Sequence, residues 1–243
     1  MNIKSQAGSA LFIILIAVMI FAALSYTVAQ MLRGGSPSMI TEEKSRLFAG
    51  EILNAARGMR QAVQNIKISN GCADMDISFE NPIIAGYTHI PVAPVKCRIF
   101  DGSGGGLNYA APSDEWLDMA LAGPPALRGQ WYFPADICVP GTGSAPTGCN
   151  SDNVDNEALI VIMPYVRKEV CIWINKALGI TNPGGSPPTE SDNAWTASAD
   201  KFNGAQSDGE KIDMDAQAGC FEGAAGSTPP SGTYHFYQII VPR

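Results

Sequence analysis

Between Lys4 and Arg33 the chain carries no charged side chain, and from Ala10 to Leu24 the sequence ALFIILIAVMIFAAL is unbroken apolar. No other feature constrains the fold as much. As a helix rising about 1.5 Å per residue, roughly twenty such residues cover the ~30 Å hydrocarbon layer of a bilayer. Apolar side chains fall on every face, and no Pro or Gly occurs between Ser9 and Arg33. Such a segment belongs in lipid or inside a bundle of helices. Three readings fit it. It is a cleavable export signal, with small residues Thr27 and Ala29 ahead of a cut before Gln30; or a permanent anchor; or a special case of such an anchor.

Six cysteines, Cys72, Cys97, Cys138, Cys149, Cys171 and Cys220, all follow this run, and no C-x-x-C spacing occurs among them. Zinc-ribbon and thioredoxin-like sites are therefore not indicated. Charged residues make up only 16% of the 243-residue chain, while Gly (25) and Pro (17) are abundant. An even cysteine count in such a loop-rich domain reads as three disulfides in an oxidising compartment. Spacing leaves the connectivity open; local pairing is the expectation, Cys72 with Cys97, Cys138 with Cys149 and Cys171 with Cys220. The basic residues Arg33, Lys44, Arg46, Arg57 and Arg60 follow the apolar run, against Lys4 before it. Charge counting alone keeps the large domain in the cytoplasm; the cysteines place it outside, and they take precedence. A net charge of −7 leaves no basic surface for nucleic acid, which is not expected as a partner.

Gly34-Gly35-Ser36-Pro37 breaks the first helix. A second, amphipathic helix is predicted over about 41–69, with Phe48, Ile52, Ala56, Met59, Val63 and Ile66 on one face. Glu42 and Glu43 open it, Lys67 lies near its end and Gly71 stops it. Beyond it the period shortens. Strands of an antiparallel sheet are predicted at 77–79, 83–90, 94–100, 131–139, 159–163 and, as a central last strand, 234–241. Short helices are predicted at 114–122, capped by Ser113, and at 165–178, with Pro164 at its first position and Gly179 past its end. The fold class is α+β: a long N-terminal helix, membrane half plus amphipathic half, packed on an antiparallel sheet with long disulfide-bonded loops.

The beginning of the chain, Lys4-Ser5-Gln6-Ala7-Gly8 followed by Ser9 and the apolar run, resembles the prepilin leader of type IV pilins and pseudopilins. The resemblance implies cleavage after Gly8 by a prepilin peptidase, with Ser9 as the first mature residue. It implies residues 1–8 as leader, 9–33 as a helix held in the inner membrane before assembly, and 34–243 as a periplasmic or extracellular head. In that family the apolar helix becomes the core of a filament, so other pilin-like subunits are the implied partners. Ala17, Ala22 and Ala23 allow close helix approach there. The family places Glu at the fifth mature position, here Ile13. That departure resembles tip pseudopilins and implies a minor, tip or initiating subunit. The alternative is a secreted or anchored disulfide-rich binding module with an ordinary signal peptide.

Catalytic motifs are missing: there is no G-x-S-x-G elbow, P-loop or H-E-x-x-H. Gly102-Ser103-Gly104-Gly105-Gly106 reads as a turn, and His89 and His235 read as structural residues in apolar contexts. No enzymatic activity and no organic cofactor are expected. Asp152, Asp155 and Glu157 supply hard oxygens in one acidic stretch, and Asp208, Glu210, Asp213 and Asp215 in another, without EF-hand spacing. Major pseudopilins hold calcium in an acidic loop, so the resemblance implies calcium as the candidate ion at Asp152, Asp155 and Glu157.

Overall fold

A computed structural model describes residues 7–33, 37–120, 128–143, 157–190, 201–205, 210–226 and 228–243. The chain divides into two compact units, Met1–Lys44 and Ser45–Arg243. The first contains helix α1, Ala7–Arg33. Helix α2, Pro37–Asn70, starts in the first unit and continues into the second. It opens on Pro, whose missing amide donor costs nothing in a first turn, and the chain turns out of it at Gly71, which takes φ +65°.

In the second unit a five-stranded sheet has the order β3-β1-β2-β5-β4. The strands are β1 (Ile137–Cys138), β2 (Glu157–Met163), β3 (Glu210–Lys211), β4 (Ala218–Glu222) and β5 (Tyr234–Val241). Pairing is antiparallel except between β1 and β3, which run parallel. The predicted last strand stands at its predicted residues, and it is central, flanked by β2 and β4. Every residue of β2 and β5 is buried, which is why both read as near-continuous apolar runs rather than alternating ones. Leu159, Val161, Met163, Phe236 and Ile240 join Ile52, Ala56, Val63 and Ile66 of α2 in one core. Ile160, Ile162, Tyr237 and Ile239 face a second, smaller core with Tyr132, Tyr165 and Phe221.

Three predicted strands are absent. Residues 83–90 and 94–100 form turns and a 3-10 helix at Val95–Cys97, and around Ile77–Phe79 only an isolated bridge, Ser78 to Arg98, is made. Pro82, Pro91 and Pro94 remove ladder donors from this region. Its apolar residues also serve different ends. Phe79 stacks on Phe133 with ring centroids 4.1 Å apart, whereas Ile90 is 94% exposed. In the 131–139 run Pro134 confines pairing to a Tyr132–Ile162 bridge and the two residues of β1. The helix predicted at 114–122 is a turn in its described part, 114–120. Ser113 Oγ does accept the Glu115 N–H, but the carbonyl of Trp116 and the amide of Asp118 are taken by Arg167 and Tyr165.

Helix α3 covers Lys168–Leu178 and not 165–178. Tyr165 adopts φ +59° and the Val166 amide donates to the Tyr234 carbonyl, so the three residues before Lys168 belong to a sheet-side connection. The C-terminal end follows expectation: Gly179 is left-handed at φ 75° and its N–H bonds the carbonyls of Asn175 and Lys176. Disulfides join Cys72 to Cys97 and Cys171 to Cys220. Cys138 is disulfide-bonded as well; Cys149, its expected partner, lies outside the described residues.

Strand β4 was not foreseeable from Ala-Gly-Cys-Phe-Glu, whose small residues carry little strand preference. It is held at Cys220. The fully buried Asn175 of α3 accepts the Cys220 N–H and donates to its C=O, both at 2.8 Å. Asn175 also donates to Asn182 Oδ1 at 2.9 Å, and Asn182 donates to the Ile172 carbonyl. A side-chain amide thus closes the outer edge of β4 as a neighbouring strand would, at the same residue that the disulfide ties to α3.

Candidate functional site

The most unusual surface is that of α1. From Phe12 to Tyr26 every side chain is exposed, among them Phe12 (66%), Ile13 (63%), Val18 (63%), Met19 (66%) and Phe21 (74%). Ala17, Ala22 and Ala23 are exposed in the same stretch, and Gly8 and Ser9 fall within the first turns of the helical backbone. Ordinary soluble surfaces rarely carry a contiguous apolar area beyond a few hundred Å²; larger ones mark contact with protein or membrane. Among the described residues no helix is long and apolar enough to cross a membrane.

Of the candidate ligands Asp152, Asp155 and Glu157, Glu157 is among the described residues. Glu157 is not in a loop: it opens β2, opposite Cys138, and is buried at 4% exposure. The Ala158–Met163 run that follows, buried at every position, draws Glu157 into the sheet with it. Asp152 and Asp155 lie outside the described residues. In the second acidic stretch Asp213 pairs with Lys211 at 2.6 Å, and its N–H donates to Glu190 Oε2. Among the described residues no group of three or more His, Cys, Asp or Glu could hold a metal ion.

Both histidines are buried. His89 meets the Phe202 ring edge-on at 5.3 Å, and burial holds its pKa below the ordinary value. His235 is fully buried, its Nε2 2.8 Å from Thr233 Oγ1, with the ring stacked on Phe221 and tilted against Tyr165. Burial pushes its pKa down to about 3. Between that value and the ordinary one near 6.5 the unfolded chain binds a proton and the folded chain does not. The stabilisation is therefore complete above pH ~6.5 and drains as pH falls toward 3, by about 2 kcal/mol at pH 5. Urea unfolding at pH 7 and pH 5 checks this: the parent chain should lose about 2 kcal/mol more than His235→Gln between those values. Equal losses would mean that His235 is not held neutral by burial.

No family model, no curated protein and no solved structure matches this chain.

Proposed function

We propose that this chain is a pilin-like structural subunit, of the minor or tip type, of a type IV pilus or type II secretion-like filament. The observation that carries the reading is α1, a helix exposing large apolar side chains all round from Phe12 to Tyr26, whose first turns contain the Gly8–Ser9 junction and which precedes a disulfide-bonded α+β head. Its action is packing and not catalysis. In the inner membrane the helix exchanges lipid contacts for contacts with like helices; the gain comes from close van der Waals fit, which the small side chains Ala17, Ala22 and Ala23 permit. Ile13 offers no carboxylate for a neighbouring terminal amine, so the subunit is suited to an end or initiating position. The head would lie in the periplasm or on the exterior, where its disulfides persist.

The test is the intact mass and N-terminal sequence of the mature protein taken from its native membrane. A start at Ser9 is expected, from cleavage by a prepilin peptidase. A start near Gln30 would instead identify a secreted module with an ordinary signal, and an uncut Met1 a plain anchor; either overturns the filament reading.

A further inference from the structure

The head carries a groove that filament packing through α1 does not use. It lies between α2 and the start of β4, with a volume of about 460 Å³. Leu53, Leu178 and Ile180 give it an apolar floor; Arg57 and Arg60 stand on the α2 wall. Gln61 and Gln64 extend that wall, and Gln217 and Gln238 answer them from the sheet side. On a chain of net charge −7 this groove has, among the described residues, no acidic lining residue. The nearest in sequence, Asp215, is turned toward Gly141 instead. Arg60 Nη1 is steadied by Gln217 Oε1 at 3.2 Å. Arg57 is exposed and, among the described residues, has no ion-pair partner.

Among the described residues, the groove also contains the one stretch of the β4 edge that is not closed. β4 is the outermost strand. Asn175 occupies the outward N–H and C=O of Cys220. At Glu222 the Pro188 carbonyl accepts the outward N–H and the Glu190 N–H fills the C=O. By the two-residue repeat of a strand, Ala218 turns its N–H and C=O the same way, away from β5. Ala218 lines the groove. A main chain laid there can pair with Ala218, its amides can meet the glutamines, which both donate and accept, and its acidic side chains can meet the arginine fork.

We infer that this groove is a docking site for an extended peptide segment bearing carboxylate side chains, supplied by a protein partner. The combination decides the ligand class. An inorganic anion or lipid phosphate would use the arginines but neither the open strand edge nor the apolar floor. The inference is independent of the filament reading and survives its failure.

The experiment uses the full chain in detergent micelles and a dye-labelled, N-acetylated Glu-Val-Glu-Ala-Glu-Val peptide, read by fluorescence anisotropy. Saturable binding is expected, at least tenfold tighter than that of the same peptide with Gln for each Glu, and weakening as salt is raised. Arg57→Glu should reduce binding at least tenfold while leaving the thermal unfolding transition in place, because Arg57 is an exposed side chain. Gln64→Ala, which leaves the arginines intact, should weaken binding severalfold. Equal affinity for the Glu and Gln peptides, binding unaffected by Arg57→Glu, or full displacement by equimolar inorganic phosphate or phosphatidylglycerol vesicles would each overturn the proposal.

Discussion

Replacing Cys171 and Cys220 together by alanine is expected to lower the unfolding free energy of the head by about 4 kcal/mol and its melting temperature by roughly 10 °C. The two residues are 49 apart in sequence and fully buried. In the chain-entropy picture, closing a loop of that length in the unfolded chain contributes about 4 kcal/mol. The bond matters structurally because of what stands beside it. Cys171 and Asn175 lie one helical turn apart on α3, and both engage Cys220, one through sulfur and the other through two hydrogen bonds. Cutting the disulfide leaves Asn175 as the only polar tie between α3 and β4 among the described residues. Chemical denaturation of the double variant beside the parent gives the difference directly. The same change at Cys72 and Cys97, 25 residues apart, is expected to cost somewhat less, about 3.5 kcal/mol. A cost below 1 kcal/mol at Cys171 and Cys220 would mean that the Asn175 hydrogen bonds and the surrounding core already fix α3.

The second large effect concerns α1. Ile14→Lys with Phe21→Lys places two ammonium groups seven residues apart on one face of an exposed apolar helix. Each charge near the centre of a membrane helix opposes insertion by about 3 kcal/mol, so the pair opposes it by about 6 kcal/mol. Under the proposed function the variant should move from the membrane fraction to the soluble fraction of expressing cells and be lost from any filament. The head itself should be untouched: purified and oxidised in vitro, it should melt at the parental temperature, because neither residue belongs to the second unit. Fractionation followed by immunoblotting reads the outcome. Retention of the doubly charged chain in the membrane at the parental level would remove the ground for an inner-membrane packing helix.

Sequence by itself determined the features that depend on local pattern and composition. The apolar run was legible as one uninterrupted helix because nothing charged or helix-breaking divides Ser9 from Arg33. The amphipathic helix ending near Asn70 was legible because its apolar residues recur at three and four. The last strand was legible because Tyr234–Val241 is a short run dominated by aromatic and β-branched residues, and Gly179 marked the end of α3 because a left-handed position favours glycine. Two cysteine pairs were legible from proximity along the chain.

What only the tertiary structure decided is where polar groups find partners. Residues 77–100 carry enough β-branched side chains to read as strands, yet their prolines cannot donate to a ladder, and the chain spends its apolar residues on the Phe79–Phe133 stack instead. Glu157 reads as a loop ligand beside Asp152 and Asp155, but its place at the head of β2 buries it. Asn175 gives no signal in sequence, since a lone Asn in a helix looks like a weak helix former; its role exists only because α3 crosses the edge of β4 at Cys220. The groove arises the same way, from residues near positions 57, 178, 217 and 238 brought to one place. Periodicity encodes which face of an element is apolar, but edge closure and groove lining are pairings between elements, and these are fixed only when the whole chain has packed.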